Sequence, residues 1–141
     1  NKDESLLIQE ARKVNLEKTE WIIKKINIKK EELLTENDAE SNHKISITFF
    51  GLTYKNDVDD IRESPSLEIA KRFSSRDDVK AFGVDPNIHS LPKDCAGLEL
   101  VEIEKGIQSD MLVLLVNHKE FAVLDKETFH NKILIDAIGF F

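Results

Sequence analysis

"ISITFFGLTYKNDVDDIRESPSLEIAKRF", residues 45–73, holds a strand, a loop and a helix in one unbroken stretch. Residues 45–51 are β-branched and aromatic and are closed by Gly51, the pattern of a buried strand. Ser64 stands where an N-cap belongs, Pro65 takes the first helical position, and Leu67, Ala70 and Phe73 fall on one face. Between strand and helix runs a polar loop, 51–63. Simple α/β connections take roughly 2–6 residues, and a longer one usually carries function.

The pattern repeats downstream. "VKAFGVDP" (79–86) reads as a second strand, "GLELV" (97–101) as a short third, and "EIEKGIQS" (102–109) as a short helix. "MLVLLVN" (111–117) is a strongly buried strand, "KEFAVLDKETFH" (119–130) gives broken helical turns, and "KILIDAIG" (132–139) is a last strand. Strands alternating with helices, some apolar throughout, predict a Rossmann-like α/β domain whose parallel five-stranded sheet is covered on both faces. Right-handed crossovers make 3-2-1-4-5 the economical order. Ligands of such sheets bind beyond the carboxyl ends of the strands where the winding reverses, here between strands one and four. Two segments leave those ends, "GLTYKNDVDDIRES" and "NHKEF".

Upstream, residues 4–34 read as a long N-terminal helix. Leu7, Ala11, Val14, Ile22 and Ile26 recur at helical spacing, Leu6, Ile23, Leu33 and Leu34 widen the stripe, and neither Gly nor Pro interrupts it. At about 1.5 Å per residue it would run about 45 Å, longer than the remaining domain is wide, so its stripe needs another partner. Two shorter helices broken near "INIKK" are the alternative. "TENDAESNHK" (35–44) is polar and aperiodic and reads as a linker, which divides the chain into 1–43 and 44–141.

The formal charge of −7 argues against a general nucleic-acid or anionic-membrane binder, both of which require a basic face. No apolar run approaches the ~20 residues of a membrane span. The single cysteine excludes an internal disulfide framework and, with no charged-then-apolar leader in view, predicts a cytoplasmic setting. Asn1 rather than Met opens the chain, as expected of a piece of something longer.

Lys55, just past the first strand, is a point charge aimed into the predicted crevice and suits a phosphate or carboxylate. Arg62 directly precedes the helix and offers an anion site, unless it merely pairs with Asp59 or Asp60; both readings stand on the residues alone. The first turn has no G-x-G-x-x-G, so the domain is not a self-sufficient dinucleotide binder of the usual kind. Asp85 stands where a ribose-binding acid would, but reads rather as a turn residue before Pro86. His43, His89 and His130 sit in loops at no ligand spacing, so no metal is expected. His118 leaves strand four at the switch point and suits a capping or supporting role. Cys95 has neither a histidine nor a helix N-terminus beside it to activate its thiol.

"FGLTYKNDVDDIRESPSLEIA" (50–70), followed in order by "VDPNIHSLP" (84–92), "LVLLVNHKEF" (112–121) and "ILIDAIGFF" (133–141), resembles the carboxy-terminal domain of the UDP-glucose/GDP-mannose dehydrogenase family. The piece "PNIHSLP" is similar to the branch that acts on UDP-N-acetyl-D-mannosamine, and "ARKVNLEKTEWIIKKI" (11–26) resembles the end of the family's central dimer helix. The resemblance implies oxidation of a sugar C6 hydroxyl to a carboxylate with two NAD, through a cysteine that the family places in its amino-terminal portion together with the NAD-binding domain. Cys95 does not fall in that motif, so the resemblance implies no catalytic residue in this chain. It implies substrate contacts for Tyr54 and Lys55, an NAD contact for Arg62, and a homodimer through the N-terminal helix. The family's basic residue two places after the last-strand aspartate is Ile138 here, which carries no substrate contact. A stand-alone nucleotide-binding or dimerisation module is the rival reading. A receiver-like signalling module fails, because paired acids do not follow strand one directly and no lysine follows strand five.

Overall fold

The structure is a computed structural model and describes residues 2–36, 44–55, 57, 59–62, 64–125, 127–129 and 132–138. Helix α1 spans Lys2–Glu36, β1 Ile45–Phe50, α2 Pro65–Ser74, β2 Val79–Val84, β3 Leu98–Leu100, α3 Ile103–Gly106, β4 Met111–Leu114 and β5 Ile133–Asp136. Two 3₁₀ turns, Lys93–Cys95 and Lys119–Val123, complete the described elements. The strands form one sheet in the order β3-β2-β1-β4-β5, every pairing parallel. That is the predicted order, with the reversal of winding at the β1/β4 seam.

The apolar runs bury on both faces because successive side chains of a strand point to opposite sides. Ile45, Ile47 and Phe49 of β1 face one core with Ala81, Met111, Val113 and Ile135, roofed by Leu67, Ile69, Ala70 and Phe73 of α2 and by Ile22, Ile23 and Ile26 of α1. Phe50 faces the other core with Val84, Leu112 and Leu114, covered by Phe121, Leu124 and Phe129. Thr48, buried on that second side, bonds the Gly106 carbonyl and Ser109 at 2.7 Å each, so no hydroxyl is stranded beneath α3.

Helix α1 is continuous, and the break near "INIKK" does not occur. Ile26 is wholly buried, and one turn later Lys30 lays its stem on the domain while its ammonium reaches Asp78 at 2.9 Å. The same face is thereby carried through the suspect segment. The helix also overruns the predicted 4–34 at both ends, since Thr35 and Glu36, read from sequence as linker, belong to it. The rest of that linker, 37–43, lies outside the described residues. The other departures are trims: the predicted helix 102–109 is one turn, and the strands shorten where their last residues turn toward the site. Among the described residues no helix is long and apolar enough to cross a membrane.

Candidate functional site

A cleft of about 270 Å³ opens beyond the carboxyl ends of β1, β4 and β5. Tyr54 and Lys55 from the loop after β1 line it, facing Leu115 and Val116 after β4 and Ala137 after β5. Pro65 and Ser66, the first residues of α2, form a second side. Lys18, Thr19 and Ile22 of α1 form a third. In a chain of charge −7, the described lining of this cleft has two lysines and no carboxylate. The amino-terminal end of α2 adds its partial positive charge on the same side.

Gly51 makes the opening possible. Its φ is +93°, and a Cβ there would stand 2.5 Å from Val116 Cβ. The chain leaving β1 is thus pressed against the chain leaving β4, closer than any side chain allows.

The loop that follows is long because it is tied down at several points. The Tyr54 amide donates to the Asp60 carbonyl at 2.8 Å, and Thr53 Oγ1 donates to the Lys55 carbonyl at 2.8 Å. Ser64 caps α2 by accepting from the Leu67 amide, and its hydroxyl donates to the Leu52 carbonyl at 2.8 Å. Tyr54 and Lys55 themselves remain exposed on this scaffold.

Arg62 is not brought to the Lys55 cleft. Its Nε and Nη2 reach Asp60 Oδ1 and Oδ2 at 3.1 and 3.2 Å, and Asp60 Oδ1 also accepts the Arg62 amide at 2.9 Å. Of the two readings open in the sequence, the pairing with Asp60 is present. The guanidinium holds the Asp60 carboxyl below the usual aspartate range. Arg62 is nonetheless 87% exposed, and so open a pair is screened by water.

Asp85 and His118 lie beneath the loop. Asp85 Oδ2 accepts the Leu52 amide at 2.7 Å and sits 2.9 Å from His118 Nε2, while Oδ1 accepts the Asn87 amide. The carboxylate is therefore occupied on both oxygens by neighbouring groups of this chain. Asp85 is a structural residue, as its place before Pro86 predicts, and His118 supports from below. His89 lines a separate cleft past β2 and β3. His43 and His130 lie outside the described residues. Cys95 is buried, its burial pushes the thiol pKa up, and Asp94 adds to the shift. A thiol in that setting is poor in thiolate and thus a poor nucleophile.

Sequence reasoning located the cleft but missed one of its walls and the ties below it. Nothing in the α1 stripe shows that Lys18 would stand across from Lys55. Asp85 and His118 carried a usable signal: in a 3-2-1-4-5 sheet the ends of β2 and β4 both flank β1, so groups there can meet across it.

The fold and the cleft define a Rossmann-like domain open where such sheets receive ligands. The model of the UDP-glucose/GDP-mannose dehydrogenase family, UDP binding domain, matches residues 48–141, and the chain belongs to that family. It is 35% identical over 141 residues to the UDP-N-acetyl-D-mannosamine dehydrogenase of Escherichia coli K12, covering 99% of this chain and 33% of that protein. It is 31% identical over 134 residues to an NDP-N-acetyl-D-galactosaminuronic acid dehydrogenase of Ralstonia solanacearum, covering 94% of this chain and 30% of that one. The solved UDP-N-acetyl-mannosamine dehydrogenase of Staphylococcus aureus shares the fold with a TM-score of 0.68 at 24% identity, over 96% of this chain and 30% of its own. The chain thus spans about a third of the length of the relatives it matches.

Proposed function

We propose that this chain is the nucleotide-sugar-binding portion of an NAD-dependent dehydrogenase that oxidises the C6 hydroxyl of a UDP-sugar, UDP-N-acetyl-D-mannosamine first among them, for surface polysaccharide synthesis in the cytoplasm. Residues 1–43 are the end of its central helix with a linker, and 44–141 the UDP-binding domain. The observation that carries this reading is the cleft with two lysines and no described carboxylate in an acidic chain. A diphosphate fits it, with Lys55 and Lys18 as mobile point charges, the α2 amino terminus as a fixed one, and Tyr54 as an apolar flank.

The residues present do not form an NAD site of their own. The turn after β1 lacks the glycine pattern that admits a pyrophosphate, and both oxygens of the Asp85 carboxylate are engaged by neighbouring amides and His118. NAD is assigned instead to the portion of the relatives' length that this chain does not span, with Arg62 offering one contact across the junction. The exposed side of α1, with Leu6, Trp21 and Ile28, favours a homodimer through that helix.

Calorimetric titration of the 141-residue chain with UDP tests the reading. A charge-assisted contact contributes about 1.5–3 kcal/mol, so Lys55→Ala is expected to weaken UDP about tenfold or more. Absence of UDP binding, or an affinity indifferent to Lys55→Ala, overturns it.

A further inference from the structure

We propose that His118 is a positioning residue for the substrate loop: its imidazole ring, buried under the cleft, holds the backbone at Thr53 and Asp57 in the arrangement that presents Tyr54 and Lys55. The inference rests on the binding role proposed above for those two residues. His118 is fully buried and wedged edge-on against Phe121, with ring centroids 5.5 Å apart. Its Nδ1 lies 2.8 Å from the Asp57 amide and 3.1 Å from Asn87 Nδ2. A backbone amide only donates, so Nδ1 accepts and the ring proton sits on Nε2. From there it serves Asp85 Oδ2 at 2.9 Å and Thr53 Oγ1 at 3.2 Å. Thr53 spends its own proton on the Lys55 carbonyl. Nδ1 thus grips the loop through Asp57, while Nε2 meets Thr53, whose own tie to the Lys55 carbonyl does not depend on the ring.

The grip falls on a turn. The φ of Asp57 is +57°, a left-handed conformation that aspartate tolerates better than most residues and that its surroundings here hold in place. The surroundings here are the His118–Lys119 segment: Nδ1 takes the Asp57 amide, and Asp57 Oδ1 takes the Lys119 amide at 2.8 Å. Asp85 in turn fixes the ring from the β2 side while accepting the Leu52 amide. Three strand ends, β1, β2 and β4, are pinned to one another through a single side chain.

Two substitutions separate the ring's two functions. An asparagine amide oxygen stands near the place of Nδ1 and keeps an acceptor for Asp57, whereas a glutamine amide nitrogen stands near Nε2 and keeps only the donor to Asp85. In the 141-residue chain, His118→Asn is expected to retain UDP affinity within about twofold and to leave the Asp57 amide protected from hydrogen exchange. His118→Gln is expected to expose that amide about tenfold and to weaken UDP about fivefold, the scale of one lost hydrogen bond. Thermal midpoints taken alongside show whether both variants fold. Equal UDP affinities for the two variants overturn the proposal, as does an Asp57 amide still protected in His118→Gln. If the unsubstituted chain fails to bind UDP, the binding role falls and the positioning proposal with it, while an Asp57 amide that loses protection only in His118→Gln would still report the grip itself.

Discussion

Gly51 and Val116 meet where β1 and β4 end, and a Cβ on Gly51 would fall 2.5 Å from Val116 Cβ and 2.7 Å from Val116 N and O. Gly51→Ala would meet both this overlap and a φ of +93°, and is expected to destabilise the fold by about 2 kcal/mol or more. Urea unfolding measures it. Trimming the partner to glycine in Gly51→Ala/Val116→Gly should not restore stability, because the Val116 backbone atoms remain in the way. Restoration by the double variant would mean that side-chain crowding alone fixes the seam.

Arg62 and Asp60 make a prediction with a sign. The guanidinium lowers the Asp60 pKa, so any stability from the pair is present above the usual aspartate range and is lost as pH falls through the depressed value. Both groups lie in the open loop, so the loss is expected to be small. Arg62→Ala should move the Asp60 carboxyl resonance, followed by NMR, back up to the ordinary aspartate pKa. UDP affinity should not change, because Arg62 lies outside the Lys55 cleft. A loss of UDP binding in this variant would show that the loop brings Arg62 to the same ligand as Lys55.

The sheet order was legible because each of its determinants is local: apolar runs of strand length, turn residues between them, and a handedness rule that leaves one economical arrangement. Ser64 and Pro65 announced α2 for the same reason, since a cap acts within one turn. The ties of the site are not local. Asp85 meets Leu52 across 33 positions and His118 meets Asp57 across 61, and each pairing exists only once β2, β1 and β4 lie side by side. Arg62 was ambiguous for the opposite reason. Its partner sits two residues away, but the turn that lets Asp60 take both the Arg62 amide and its guanidinium depends on a loop held from elsewhere. Lys18 was invisible as a cleft residue because hydrophobic periodicity says which side of α1 is buried and not what it is buried against.

Helix α1 carries a last consequence of its length. At about 1.5 Å per residue its 35 residues run about 52 Å, and Ile22, Ile26 and Lys30 use one side of it against the sheet domain. Trp21 and Ile28, two turns apart on another side, are 50% and 49% exposed, and Lys25 lies over the Trp21 ring at 4.7 Å. A second copy of the helix would remove these groups from water. Burying the exposed half of these two side chains on both chains together contributes about 3 kcal/mol, worth about a hundredfold in the dissociation constant. Light scattering across a dilution series should therefore give twice 16.2 kDa for the unsubstituted chain. Trp21→Glu/Ile28→Glu should bring the mass down to a single chain with the thermal midpoint of the domain retained, since both residues lie among the exposed side chains of α1. A dimer that persists in the double variant would place the self-association on some other surface, and a monomer before substitution would remove α1 from the account altogether.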